Sequence, residues 1–148
     1  EDYTEGMQRL LRKWETMKSH VPTPIIKKAK KRTPDGVIYM GSTDPAMEEA
    51  LCALESHGVH LDALRVRAFP FNNDVFDFIR DHEQVFVVEQ NRDAQLKSLL
   101  VNEGGVHPAR LVSVLHYDGT PITARFIIKD ITEKLQAGQA AALPEKAK

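Results

Sequence analysis

One cysteine in 148 residues, Cys52, leaves the chain without an internal disulfide, and a lone thiol holds neither an iron–sulfur cluster nor a structural zinc without several partner ligands. Glycine is scattered, and neither G-x-G-x-x-G nor G-x-x-x-x-G-K-[ST] occurs, which excludes the dinucleotide and Walker phosphate loops. No apolar run approaches the roughly 20 residues that cross a bilayer, and no basic start leads into an apolar signal segment. The expectation is a soluble, cytoplasmic protein with no membrane partner. The first residue is Glu and the chain opens in the middle of a helical pattern, so it is also expected to be part of a longer protein.

What is present is a globular composition, 42% hydrophobic and 28% charged, enough to bury one core. The net charge of -1 conceals an asymmetry: residues 1 to 36 hold nine Lys or Arg against five Asp or Glu. The excess lies in Lys27-Lys28-Ala29-Lys30-Lys31-Arg32, between Pro22/Pro24 and Pro34. Such a run can bind nucleic acid or an acidic partner. It carries no interleaved aromatic residue and no helix–turn–helix pattern, so a solvated linker is the favoured reading and nucleic acid is not the expected partner.

Tyr3, Met7, Leu10, Leu11, Trp14 and Met17 recur at helical spacing and predict an amphipathic helix whose covering surface could belong to this domain, an upstream domain or a partner. Residues 1–34 are thus read as helix plus basic linker, 35–136 as one domain, and 137–148 as a flexible tail. Within the domain, Val37 to Met40, Leu61 to Arg67, Val85 to Val88 and Leu111 to Leu115 predict strands. Helices are predicted from Asp44 (N-cap, with Pro45 at N1) to Gly58, from Asn72 or Asn73 to Arg80, from Arg92 or Asp93 to about Asn102, and along Phe126, Ile127, Ile131 and Leu135. Strands apolar on both faces, alternating with helices, predict a three-layer α/β sandwich around a mostly parallel sheet of four to five strands.

In such a sheet the loops at the carboxyl ends of the strands gather functional groups. Ser42 and Thr43 could hold an anion at a helix start, although Asp44 as the cap would repel it and a structural turn is favoured. Glu89-Gln90-Asn91-Arg92-Asp93, with Gln95, exceeds what one helix start needs; either it forms an interface or Asn91 or Asp93 caps the helix while Glu89 pairs with Arg92. Asp118-Gly119-Thr120-Pro121 follows His116, but no nucleophile or metal-ligand pattern accompanies that histidine. The six histidines, 20, 57, 60, 82, 107 and 116, are expected in solvated or capping roles. The residues alone give a folded module without a complete active site.

The run Val37 to Ala50 (VIYMGSTDPAMEEA), with Leu64 to Phe71 (LRVRAFPF), Val85 to Leu96 (VFVVEQNRDAQL) and Tyr117 to Arg125 (YDGTPITAR), resembles the C-terminal, transketolase C-terminal-like domain of the alpha subunit of 2-oxoacid:ferredoxin oxidoreductases, most closely the 2-oxoglutarate enzymes. The resemblance covers nearly the whole chain, and the Glu-Gln-Asn-Arg-Asp segment and Asp-Gly-x-Pro turn are its most specific parts. It implies a parent complex that oxidatively decarboxylates a 2-oxoacid to the acyl-CoA and reduces ferredoxin, using thiamine diphosphate, magnesium, an iron–sulfur cluster and CoA. It implies partners in a thiamine-binding beta subunit and an upstream domain of the same chain. No catalytic, cofactor-binding or metal residue is carried over. The loops at Ser42, Thr43, Glu89 to Asp93, Gln95, Asp118, Gly119 and Pro121 are the expected interface, and a free-standing anion- or partner-binding regulatory module is the alternative.

Overall fold

The structure, a computed structural model, describes residues 2–142. Helix α1 (Asp2–Lys18) and a short strand β1 (Ile25–Lys27) precede β2 (Asp35–Met40), α2 (Asp44–Ser56), β3 (Asp62–Val66), α3 (Asn73–Arg80), β4 (Gln84–Glu89), α4 (Gln95–Gly104), β5 (Leu111–Leu115) and α5 (Ala124–Ala142). The five strands form one sheet in the order β1-β3-β2-β4-β5, parallel except for β1, which runs antiparallel to β3 on the edge. This is the expected three-layer α/β sandwich.

Alternation of side chains along each strand divides the core. Val37, Tyr39, Phe86, Val88 and Val114 point to one face and pack on Met47, Ala50 and Leu54 of α2 and Ile127 and Ile131 of α5. Ile38, Leu64, Val85, Val87 and Leu111 point to the other and pack on Val75, Phe78 and Ile79 of α3 and Leu96 and Leu100 of α4. Fully burying each such side chain contributes about 1.5–3 kcal/mol, which explains why strands hydrophobic on both faces demand helices on both. Close approach also matters: a Cβ at Gly36 would lie 2.8 Å from the Phe78 ring, so glycine in β2 lets α3 sit against the sheet.

Two expectations need correction. The segment read as a solvated linker is docked: Ile25 and Ile26 pair with Arg65 and Leu64, which requires an extended chain between the prolines. From there the lysines alternate. Lys27 pairs with Glu48 and Lys30 with Glu55 (2.7 Å) on α2, whereas Lys28 reaches Asp62 at 2.8 Å. Long aliphatic stems let these charges lie along the protein with their heads near water. Lys31 and Arg32 have no ion pair among the described residues. Second, not all histidines are solvated. His20, His57 and His82 do sit on carbonyls in the last turns of α1, α2 and α3, and His107 accepts from the Ala109 N–H, but His82 does so while buried, and His116 is buried against the Thr120 carbonyl without capping a helix. At the end, α5 continues through Gly138 to Ala142; the rest of the segment read as a tail lies outside the described residues.

Asp62 joins the strap to the core. Its carboxylate accepts from the Lys28 ammonium, the Ala29 N–H (2.8 Å) and the buried His82 ring (3.1 Å). Burial works to raise its pKa, but the hydrogen bonds from Lys28, Ala29 and His82 and the Lys28 charge together hold it below the usual aspartate value. A depressed folded pKa stabilises the fold fully above the unfolded value of about 3.9, and that contribution is lost as pH falls through the lower folded value. Urea unfolding followed from about pH 6 to about pH 2 should therefore show a steeper acid loss of stability in the wild type than in Asp62→Asn, with the variant weaker at neutral pH. Superposable profiles would refute this role for Asp62.

Candidate functional site

The chain leaves β2 through α2 to β3 on one side, then crosses by α3 to β4 on the other side of β2. The strand order reverses between β2 and β4, and the crevice at their carboxyl ends is where open α/β sheets bind ligands. Here that crevice is a pocket of about 350 Å³ lined by Met40, Gly41, Ser42, Thr43, Glu89, Gln90, Asn91, Gln95, Leu96 and Leu99. It brings together six of the residues singled out from the sequence: Ser42, Thr43, Glu89, Gln90, Asn91 and Gln95.

Glu89 is the last residue of β4 and only 4% exposed. Its carboxylate accepts from the Leu96 N–H (2.6 Å), the Lys97 N–H (3.1 Å) and the Asn91 amide (2.8 Å). The first turn of a helix has unpaired N–H groups and a positive dipole end, so a carboxylate delivered by the neighbouring strand satisfies both. This corrects the expected pairing of Glu89 with Arg92; Arg92 instead bonds Asp93 at 2.7 Å in solvent. Asn91 does take part in capping, accepting from the Asp93 and Gln95 N–H groups. Helix α4 starts at Gln95 rather than Arg92 or Asp93, because Ala94 precedes it in the left-handed region, φ 50° and ψ 50°. That conformation costs a non-glycine residue about 1–2 kcal/mol, and it is held here by the bonds on either side.

Gln90 points across the crevice. Its amide donates to the hydroxyls of Ser42 (3.1 Å) and Thr43 (3.2 Å), and its carbonyl oxygen accepts from the Ile122 N–H at 3.4 Å. One side chain therefore joins the loops that follow β2, β4 and β5. Asp118, Gly119 and Pro121 lie in the third loop and outside the crevice. Asp118 accepts from the Thr120 N–H (2.8 Å) and hydroxyl (2.7 Å), and these bonds, Thr120 hydroxyl first and then its N–H, with a lesser contribution from the His116 charge, lower its pKa. Gly119, at φ +89°, completes the turn. His116 rests edge-on against Phe126, 4.7 Å between ring centres, with Nε2 2.9 Å from the Thr120 carbonyl.

Asp44 also departs from expectation. The N-cap position of α2 is Thr43 and makes no side-chain cap bond; Asp44 is inside the helix and turns sideways to Arg65 at 2.7 Å. Arg65 sits beside Tyr39 in the sheet register. Burial, followed by the neighbouring Asp44 charge, pushes the Tyr39 phenol up to about 12. The group is a structural anchor.

The sequence reading missed the apolar rim. Met40, Phe69 and Leu99 are exposed at the mouth of the crevice and, with Val66, Phe71 and Leu96, line an adjoining apolar hollow. Phe69 in turn meets Trp14 of α1 edge-on, 5.1 Å between ring centres. The available signal was the pair Phe69 and Phe71 directly after a strand.

Chemically, the crevice has hydroxyl and amide groups and one committed carboxylate, but neither a nucleophile–base pair nor any Lys or Arg to meet a diphosphate. Cys52 is a single exposed thiol, and no group of three or more His, Cys, Asp or Glu side chains among the described residues is placed to hold a metal. The donor set does not fit an iron–sulfur cluster or a magnesium ion. No helix among the described residues is long and apolar enough to cross a membrane.

No family model matches the chain, and no curated protein matches it. Solved structures do. A 2-oxoglutarate:ferredoxin oxidoreductase from Magnetococcus marinus, with 2-oxoglutarate, coenzyme A and succinyl-CoA bound, is similar over 90% of this chain at TM-score 0.77 and 22% identity. The chain spans 23% of that oxidoreductase chain. A split gene transketolase, an inactive beta4 tetramer, is similar over 76% of this chain and 42% of its own, at TM-score 0.60 and 16% identity. The alpha chain of a probable 2-oxoacid ferredoxin oxidoreductase from Thermoplasma acidophilum is similar over 77% of this chain and 97% of its own, at TM-score 0.52 and 22% identity. At these identities the likeness is one of fold: an α/β domain shared by 2-oxoacid:ferredoxin oxidoreductase and transketolase structures.

Glu89→Ala is expected to lower the unfolding free energy by about 1–3 kcal/mol, because it orphans buried N–H groups at the start of α4. Hydrogen exchange should accelerate first at the Leu96 and Lys97 amides. An unchanged stability with those amides still protected would show that the carboxylate is dispensable.

Proposed function

We propose that the chain is a non-catalytic assembly domain of a 2-oxoacid:ferredoxin oxidoreductase alpha subunit. The parent complex takes 2-oxoglutarate or a related 2-oxoacid, breaks the bond between C1 and C2, releases carbon dioxide, transfers the acyl group to CoA and passes two electrons to ferredoxin. In this reading the thiamine diphosphate, magnesium, iron–sulfur cluster and CoA belong to the thiamine-binding beta subunit and to an upstream domain of the same chain.

The observation that carries the reading is the state of the crevice. Its polar side chains are largely turned on one another, with Glu89 on α4 and Gln90 on Ser42, Thr43 and Ile122, while Met40, Phe69 and Leu99 remain exposed around them. A rigid polar joint with an apolar rim suits contact with another protein surface better than turnover of a small substrate. The fold likeness to oxidoreductase chains, extending over 90% of this chain in one case, supports the same parent. The alternative anion-binding module is weakened, since the crevice holds no Lys or Arg to meet an anion.

The test is 2-oxoacid- and CoA-dependent reduction of a viologen dye by the parent chain co-expressed with its thiamine-binding partner. Activity with 2-oxoglutarate should vanish when residues 1–148 are deleted and fall together with complex assembly in Gln90→Ala/Asn91→Ala, while the 148-residue chain alone reduces nothing. Full activity without the segment would overturn the reading, and calorimetric binding of CoA or a nucleotide to the isolated chain would favour the regulatory module.

A further inference from the structure

Helix α1 has no buried residue, although it is 17 residues long and carries a continuous apolar stripe. Trp14 touches Phe69, but Tyr3 is 81% exposed and Leu11 63%, with Met7, Leu10 and Met17 also open to solvent. Tyr3, Met7, Leu10, Trp14 and Met17 follow one another at intervals of four, three, four and three residues. That is the heptad seam of a helix that packs along another helix.

We infer that this seam pairs with α1 of a second copy of the chain, antiparallel about a two-fold axis. The flanking positions select both the occupant and the direction. One flank of the seam holds Thr4, Leu11 and Lys18, the other Gly6 and Lys13. In a parallel pair opposite flanks face each other, which sets Lys13 against Lys18 of the second copy, a repulsive contact. In an antiparallel pair like flanks face each other. With Met7 against Leu10 and Tyr3 against Trp14 of the second copy, Leu11 then covers Thr4, and Lys13 lies over Gly6. No like charges meet across the seam. The first turn, with Asp2 and Glu5, lies level with the copy's segment from Arg12 to Lys18, which holds three basic residues and one acidic, Glu15, itself paired with Lys18 at 2.8 Å. Gly6 adds a separate indication: a Cβ there would have no heavy atom within 4 Å, so nothing in this chain requires glycine, whereas a second helix backbone can approach closely at that point. The inference concerns the chain by itself and does not rest on the oxidoreductase reading.

Sedimentation equilibrium of the full chain over a concentration series tests it. The wild type should be a reversible dimer and Leu10→Glu a monomer with unchanged far-ultraviolet dichroism, since Leu10 is exposed in the single copy. Direction is read by oxidation in a Cys52→Ser background: chains carrying Thr4→Cys mixed with chains carrying Leu11→Cys should cross-link to each other, and neither variant to itself. A chain monomeric up to about 1 mM, the limit of the weakest specific contacts, a dimer that survives Leu10→Glu, or a monomer whose α1 instead binds anionic lipid vesicles would each overturn the proposal.

Discussion

A buried carboxylate at the end of a central strand sets the geometry of everything around the crevice. Placing Glu89 out of water is unfavourable unless its oxygens are filled with donors. The three donors, from Leu96, Lys97 and Asn91, come from the segment that follows it, so the chain must curl back within eight residues. The curl places Ala94 at positive φ, starts α4 at Gln95 and leaves Gln90 at the apex, aimed toward Ser42. The carboxylate shares with Asn91, which accepts from the Asp93 and Gln95 N–H groups, the work of holding Ala94 in its unfavourable conformation, and so helps to place Gln90 where it meets the loops after β2 and β5.

Local chemistry makes much of the fold legible in the sequence. The strand Leu111 to Leu115 and the helix capped by Asn72 fall where apolar runs and capping residues put them, since burial on two faces and an Asx cap are short-range signals. The misses depend on partners far away in the chain. Asp44 looks like an N-cap by its own sequence and is drawn away by Arg65 from the next strand. Glu89 looks like a partner for Arg92, three residues on, until the helix start comes within reach. The basic run is solvated by composition, yet Glu48, Glu55 and Asp62 lie 21 to 34 residues away in sequence and meet it once β1 has paired with β3.

The candidate site was legible as a set of loops but not as an arrangement. Polar density after the strand at Val85 to Val88 marked a segment four of whose residues line the crevice, and the order of elements placed it at the carboxyl end of the sheet. That Gln90 would bridge outward, while Arg92 and Asp93 satisfied each other in solvent, depends on which side chains the backbone turn at Ala94 directs inward. The apolar rim was invisible for a different reason: Met40 ends a strand whose preceding residues are core, and Leu99 lies beside the buried Leu100 in the same apolar run, so the pattern does not separate the exposed residue from the buried one.

Enzymes on open α/β sheets keep the crevice at the strand-order reversal polar and unsatisfied, because a substrate must complete its hydrogen bonds. Here the completion is internal. Every hydrogen bond that Gln90 makes to Ser42, Thr43 or Ile122 removes a donor or acceptor that a ligand would have used and adds stiffness between loops from different strands. Stiff loops with satisfied polar groups and exposed Met40, Phe69 and Leu99 lose little conformational entropy when another surface covers them, whereas mobile unsatisfied loops would lose much. Under the proposed assembly role, the position in the fold that elsewhere grips a substrate would here meet a neighbouring protein surface.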